Sequence, residues 1–512
     1  MQMPWRAAAV VVLAWAACAS AAAESGDAVR GRALYDGTTA LHARTADGTA
    51  LPPAAAACVA CHRRSGLGSF EGGVSAPPIT GKSLFEPLSA TTGNIFPWPS
   101  TLRTRPAYDL PGLQHLLADG TAPDGVVMRA PMPRYAMAMQ DVADLATYLR
   151  ELSKPRVPGV TDSTLDLATI VTPGVPALER QAVVEVLTAY FEQKNAQTRH
   201  ESGRARVAER GQLTMYRNYR QWRLVVWDVT GPPDTWRAQL DALYSAQPVF
   251  AVVGGIGHGS WAGVQQFCET QEVPCLFPIT QQPPAEPGYY SVYFHGGWAV
   301  DAQVAADALL ARNVRRVAVW AGAGDAQAAE RVRQVLGAQG LIVADSAVGP
   351  AAAPDAVVSL LDDAAQEAQL KATPVAADVW MVRLGERGGE PQATAGARAL
   401  WVRAQLQGPA LQRQLQRPRS WLQKQGLSYL PMNVATSTLY AASVAGESLM
   451  HIDLGFSREY CIEKLEHNLE NTVPLSPYPR LSLGPDQRIA SKGSFLGVVG
   501  QDGRIVWDWR RP

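Results

Sequence analysis

VFAVVGGIGHGSWAGVQQFCETQEVPCLFPIT, residues 249–280, reads as an apolar strand, a glycine-rich turn, an amphipathic helix and a second apolar strand. A buried strand, a helix and another strand in succession make up the repeating unit of a parallel sheet with helices on its faces. The alternation extends in both directions. Upstream lie LDLATIV (165–171), ALERQAVVEVLTAYFEQKNA (177–196), WRLVVWDV (222–229) and DTWRAQLDALYSA (234–246). Downstream lie SVYFHG (291–296), AVDAQVAADALLARN (299–313), RRVAVWAG (315–322), AQAAERVRQVLGAQG (326–340) and LIVADSAV (341–348). The span 164–512 is too long for one such sheet, which predicts two lobes. Within the opening stretch GGIGHGSW lacks the Gly-Lys-Ser/Thr ending of a phosphate loop, and its glycines do not have the spacing of a dinucleotide site.

N-terminal to this region the texture changes. KPRVPGVTDS, residues 154–163, breaks every periodicity with two prolines and a glycine and is expected to be a linker. Residues 24–153 before it are rich in Gly, Pro and Ala and close on QDVADLATYLREL, where Val142, Leu145, Ala146 and Leu149 give one helical apolar face. The first residues, MQMPWRAAAVVVLAWAACASAAAESG, combine an early arginine, an apolar run and small residues in Ala-x-Ala order, so 1–23 are expected to be a signal peptide for export to a periplasm. Cys18 within it follows Trp15-Ala16-Ala17, a poor match to a lipoprotein signal. No later segment is expected to span a membrane in the mature chain. The 46 basic and 46 acidic side chains leave no basic excess, so nucleic acid is not an expected partner. In an oxidising compartment Cys268 and Cys275 are expected to pair as a disulfide, leaving Cys461 as a thiol.

CVACH, residues 58–62, carries the sharpest chemistry. Two cysteines at this spacing can hold half a zinc site, exchange disulfides or carry a haem. Zinc needs two further ligands in a similar knuckle, and the remaining cysteines are some two hundred residues away in the other region. Thiol exchange wants a strand-to-helix setting, which the proline- and alanine-rich approach to Cys58 does not supply. The adjacent His62 favours haem: both thiols add to the macrocycle and the imidazole binds iron. Methionine is the usual sixth ligand, and Met128, Met132, Met137 and Met139 all follow. Met132, between prolines in an irregular loop, is the favoured one; Met137 and Met139 read as packing residues.

Residues 26–153 resemble class I cytochrome c: an N-terminal helix with Gly31 and Tyr35 (AVRGRALYDG), the haem motif, a Met-Pro loop and a terminal helix carrying Tyr148. The resemblance implies an all-α cytochrome c domain over 24–153. It also implies one haem c held covalently by Cys58 and Cys61, with His62 and Met132 as axial iron ligands, and two terminal helices that approach closely at Gly31. The interval 37–57 is longer than in compact members. It is expected to form a surface insertion, and it brings His42 as a remote alternative ligand.

Residues 164–512 look like a type I periplasmic binding protein, as in the receptors for branched-chain amino acids, on the strength of 249–280 and of YYSVYFHGGWAVDAQVAADALLARNVRRVAVWAG (289–322). This resemblance implies an α/β two-lobed fold following the cytochrome domain, with Ser260 and Thr280 meeting a small amphipathic ligand between the lobes and His258, His295 and Trp298 as neighbours. The charged stretch 199–221 departs from the glycine-rich turn of that family. Arg488 and Lys492 are read as part of a solvated terminal hairpin, with an anion contact as the alternative.

Together these expectations describe a periplasmic monohaem cytochrome in electron transport, an electron carrier and not an enzyme. Its redox partner would be a dehydrogenase or a terminal electron acceptor, and its binding-protein-like domain would sense a small molecule or dock. The alternative is the solute-binding receptor of an ABC-type importer with an accessory haem.

Overall fold

The structure is a computed structural model and describes residues 26–71, 73–88, 104–152, 157–198, 219–344, 354–387, 398–450, 452, 455–471, 476–479, 481–500 and 502–512. The expected signal peptide with Cys18, the start of the expected linker and most of the charged stretch lie outside the described residues. The chain divides into two compact units, residues 1–157 with 453–460, and residues 158–452 with 461–512.

The first unit is built on α1 (Ala28–Asp36), β1 (Ala43–Arg44), α2 (Pro53–Ala56), α3 (Val59–His62), β2 (Ser69–Glu71), β3 (Val74–Ala76), α4 (Gly81–Phe85), α5 (Leu110–Asp119), β4 (Arg134–Tyr135) and α6 (Met139–Glu151). Helix α1 starts where the Asp27 carboxylate accepts from Val29 N at 2.8 Å, and it stops at Gly37, whose φ of 77° suits the left-handed cap. It packs on α6, whose Val142, Leu145, Ala146 and Leu149 are buried at the expected spacing. Gly31 sits at the contact. A Cβ there would lie 2.0 Å from the Asp144 carbonyl oxygen, so only hydrogen fits. The same buried Asp144 accepts from Asp27 N at 2.7 Å, tying the start of one helix to the middle of the other.

This unit is not all-α. β1 pairs antiparallel with β4, and β2 with β3. The expected surface insertion supplies β1: Leu41 and Ala43 alternate inward and are buried, and Ala43 lies opposite Tyr135. Two inward apolar side chains are enough to fold the segment back onto the core.

The second unit contains two sheets. In the first lobe β5 (Thr164–Val171), α7 (Ala177–Thr198), β6 (Gln221–Asp228), α8 (Trp236–Ala246), β7 (Ala251–Val253), β8 (Ile256–Gly257), α9 (Ala262–Thr270), β9 (Cys275–Leu276), β10 (Ile279–Thr280) and β11 (Ser291–His295) follow in order. The main strand order is β6-β5-β7-β9-β11, with every pair parallel. β5 is buried along all but its first residue, as a parallel strand covered on both faces must be.

The second lobe has α10 (Trp298–Leu310), β12 (Arg316–Trp320), α11 (Ala326–Ala338), β13 (Ile342–Val343), β14 (Ala356–Ser359), α12 (Asp363–Ala372), β15 (Trp380–Leu384) and β16 (Ala399–Arg403). Helices α13 (Gly408–Lys424), α14 (Met432–Met450) and α15 (Arg458–Asn471) come next, with α14 packed on α7 of the first lobe. β17 (Ile489–Ser491) then joins β11, and β18 (Ser494–Val499) and β19 (Ile505–Arg510) complete the second sheet in the order β13-β12-β14-β15-β16-β18-β19. The first four of these pairings are parallel and the last two antiparallel. Among the described residues the chain therefore passes between the lobes three times: at Gly296-Gly297, at residues 404–407 and at Lys492-Gly493. No described helix is long and apolar enough to cross a membrane.

Cys268 and Cys275, expected as a disulfide, are two separate buried thiols. One faces inward from the last turn of α9 and the other opens β9, and both are packed into the same apolar core as Tyr293. Arg488 is not solvated: it is buried and bonded to Glu466 at 2.5 Å. Lys492 donates to the Ser482 carbonyl at 3.1 Å and to that of Ile489. Arg488 and Lys492 flank β17, and among the described residues the buried Arg488 keeps Nε and Nη2 without a hydrogen-bond partner.

Candidate functional site

In the first unit the short helix α3 presents the motif. Cys58 is buried, Cys61 exposed and His62 intermediate, and all three line one cavity of about 520 Å³. Its walls are apolar: Ile79, Leu84, Leu113, Leu116, Leu117, Leu145 and Leu149. Across it lie Met128, Met132 and Tyr135. Tyr135 donates its hydroxyl proton to the Ala56 carbonyl at 2.9 Å, fixing strand β4 to the chain just before the motif.

The Nδ1 of His62 lies 2.8 Å from the Pro77 carbonyl oxygen. That bond places the proton on Nδ1, orients the ring and makes Nε2 the ligand nitrogen. Burial lowers the His62 pKa, which keeps the imidazole neutral, the form that binds metal. Burial also pushes the Cys58 thiol up to about 12. A thiol-exchange site needs the opposite shift, so this environment does not serve disulfide chemistry.

A cavity of several hundred Å³ with greasy walls, two thiols, one oriented imidazole and thioethers opposite fits a covalently held haem. Two thioethers, not one, reach the cavity. Met132 was expected there, and Met128 lines the same space. Met137 packs against the hydrophobic core without lining the cavity, as expected, whereas Met139 is exposed and does not have the packing role expected of it. His42 is exposed and outside the cavity lining, which removes it as a ligand.

In the second unit a cleft of about 460 Å³ lies between the lobes. Ser260 and Gln282 come from the first lobe, Trp298 from the start of α10, and Gln327, Glu330, Arg331 and Gln334 from α11. The loop after β10 is pinned on both sides. Gln282 O accepts from Trp261 N at 3.2 Å and Gln281 O from Trp298 N at 3.1 Å. Gly297, with φ 63°, lets the second approach happen, because a Cβ would sit 2.1 Å from Gln281 O.

Trp298 is 98% buried, since only 2% of it is exposed, and the Arg387 guanidinium lies 4.7 Å from its ring centroid. Arg387 is held in turn by both Asp325 oxygens, at 2.5 and 3.2 Å. Among the described residues Trp298 Nε1 and Gln281 Oε1 have no hydrogen-bond partner, and both approach Gly385.

Of the residues expected here, Ser260 and Trp298 line the cleft, whereas Thr280, His258 and His295 are engaged elsewhere. Thr280 Oγ1 accepts from Gln282 N at 3.1 Å, which shapes the loop. His258 Nε2 is 2.7 Å from Glu179 Oε2. His295 is buried at the first crossing between lobes. Its Nδ1 accepts from Gly297 N at 3.0 Å, so Nε2 carries the proton and donates to Ser494 Oγ at 3.1 Å. Ser494 in turn donates to Asp301 at 2.6 Å. Burial pushes His295 down to about 4 and Asp301 well above the carboxylate range, so the chain of bonds joins neutral groups across two of the crossings. The resemblance implied His295 as a neighbour of the ligand, but the side chain turns into the hinge. Gln281, Gln327 and Arg331 were missed; Gln281 directly follows Thr280, and only the folded lobes bring the other two to the cleft.

No family model matches the chain, and no curated protein matches it. Solved structures do. A substrate-binding periplasmic protein from Ralstonia solanacearum is 16% identical, covering 67% of this chain and 100% of that one with a TM-score of 0.47. A fatty acid ABC transporter substrate-binding protein from Thermomonospora curvata is 15% identical, with 69% and 94% covered and a TM-score of 0.47. A leucine binding protein from Thermotoga maritima MSB8 is 14% identical, with 67% and 98% covered and a TM-score of 0.43. The strand order and three crossings described above define the second unit as a two-lobed α/β fold.

Proposed function

We propose that this is an exported ligand-binding protein that carries one covalent haem, with the first unit as an electron carrier and the second as the binder of a small solute. The observation that carries the reading is the convergence of Cys58, Cys61, His62 and Met132 on one apolar cavity. A haem bound there would supply a one-electron iron couple with no free coordination position. Cys58 and Cys61 would anchor it, His62 Nε2 and Met132 Sδ would bind its iron, and the leucine walls would exclude water. The absence of a free position speaks for electron transfer and against catalysis.

The interlobe cleft supports ligand binding. It offers amide, hydroxyl and indole groups with one charge of each sign, Arg331 and Glu330, a lining suited to a small amphipathic molecule. In the first form of the proposal the ligand tunes docking to a periplasmic dehydrogenase or terminal acceptor. A second form, a receptor delivering its ligand to an ABC-type importer with the haem as accessory, is favoured by the complete two-lobed architecture around the cleft.

Expression with a c-type maturation system should yield one haem that survives denaturing electrophoresis and a methionine-to-iron absorption band in the ferric protein. Met132→Ala should abolish the band. A chain that matures without haem under these conditions would remove the electron-carrier reading. For the cleft, a thermal-shift screen of amino acids, short acids and alcohol-derived metabolites should find a stabilising compound. An empty screen together with tight binding to a periplasmic dehydrogenase would favour docking over transport.

A further inference from the structure

The loop that carries both thioethers runs from the end of α5 to strand β4, and one side chain ties it together. Arg134 donates from Nη1 to the Met132 carbonyl at 2.9 Å and from Nη2 to the Met128 carbonyl at 2.6 Å. The two acceptors are four residues apart, on either side of Arg129-Ala130-Pro131. A planar fork bridges them from two separate nitrogens in fixed geometry, whereas a lysine would have to reach both from a single nitrogen.

The other half of the arrangement is Gly120, which ends α5 with φ 79°. Its carbonyl accepts from Met128 N at 2.7 Å, so the loop starts and returns at the same place. A Cβ on Gly120 would lie 2.1 Å from the Arg134 Cζ and 2.2 Å from its Nη2. The guanidinium therefore occupies the space that a side chain would take, over the C-terminal end of a helix where a positive charge is favoured. Strand β4 holds the Arg134 backbone through its pairing with β1. Neither Arg134 nor Gly120 lines the cavity.

We propose that Arg134, seated on Gly120, is the positioning residue of the methionine loop, and that its two carbonyl bonds hold the Met132 thioether turned into the cavity. The inference rests on the haem reading. In the haem-loaded full chain, Arg134→Ala should bind covalent haem at the parental stoichiometry yet open the loop more often. Loss of bonds from a charged donor corresponds to about tenfold to a hundredfold in that equilibrium.

The readouts are the ferric methionine-to-iron band and the affinity for added imidazole, which competes for the sixth position. The band should weaken or vanish, and imidazole should bind about tenfold to a hundredfold more tightly. Arg134→Lys should fall between parent and alanine variant. Gly120→Ala, which displaces the guanidinium without removing it, should move both readouts in the same direction, and adding it to Arg134→Ala should change neither further. Should Arg134→Ala fail to fold, the lysine and Gly120→Ala variants carry the same test.

An unchanged band and imidazole affinity in folded, haem-bearing Arg134→Ala and Gly120→Ala would overturn the positioning role while leaving the haem reading intact. A parent protein without covalent haem would instead remove the reading on which the role depends.

Discussion

The two cavities are built in opposite ways. In the first unit, five of the six side chains that matter most come from two short stretches, 58–62 and 128–132, and Tyr135 follows three residues later. In the second, the cleft is assembled from the starts of two helices, one loop and the face of α11, spread over residues 260–334. A covalent cofactor needs attachment points at fixed spacing along the chain, whereas a solute between lobes needs only groups that meet in space. The chemistry of the first site can therefore be written in a motif, and that of the second cannot.

Cys58→Ser with Cys61→Ser should produce the largest change. On the proposed function, covalent haem should be lost altogether, as read by intact mass, while the thermal response of the second unit to a cleft ligand is retained. Loss of that response as well would show that the two sites do not act separately.

Trp298→Ala should be next in size. Removing a buried tryptophan costs about 3–5 kcal/mol, and denaturant unfolding should place that loss in the second unit with the haem spectrum unchanged. A cost under about 1 kcal/mol would show that the side chain is not the packed base of the cleft that its burial implies.

Gly31→Ala is the matching change in the first unit. The added methyl meets the Asp144 carbonyl, and overpacking of this kind costs about 1–3 kcal/mol. Unfolding followed at the haem absorbance should report it. A neutral result would mean that α1 and α6 can separate without penalty.

Acid should distinguish the hinge from the rest. His295 sits near 4 when folded against an ordinary 6.5, so its contribution is complete above pH 6.5 and is lost as pH falls toward 4. Asp301, raised by burial, works the other way: the folded carboxyl keeps a proton that the unfolded one has shed, and its contribution declines as pH rises. The two slopes oppose each other in the parent protein. Asp301→Asn should therefore lose more stability than the parent on acidification from 6.5 to 4, and His295→Gln less. Equal slopes in all three proteins, measured by urea unfolding, would contradict this reading of the hinge.

The smallest effect should come from His258→Ala. Its contact with Glu179 is partly exposed, and such pairs are worth less than about 1 kcal/mol. A large loss of ligand affinity in this variant would return His258 to the cleft.

Much of the architecture was legible because burial on both faces leaves continuous apolar runs. LDLATIV became β5, RRVAVWAG became β12, and the 140–152 pattern became α6 with its face as read. The all-α expectation failed at β1 and β4, pairs of residues too short to show a period. VPCLFPIT read as one strand and became two, since Phe277 adopts φ 59° between β9 and β10. Ser260 and Trp298 came from the resemblance of 249–280 and 289–322 to the binding proteins. His295 came from the same resemblance and was misread, because position along a strand does not tell whether a side chain turns toward the cleft or the hinge. The Arg134–Gly120 contact was invisible, since nothing in the composition of MPRY or of the 109–120 helix shows that one fills the space above the other.

The pairing of β17 with β11 also bears on how the chain is made. Ile489 lies opposite Tyr293 and Ser491 opposite His295, so the sheet of the first lobe keeps an open edge until residues 296–488 have been synthesised and the last strand arrives. Synthesis in order cannot finish one lobe before starting the other. A nascent chain stalled between residues 296 and 488 would display β11 as an unpaired edge strand beside the half-built hinge.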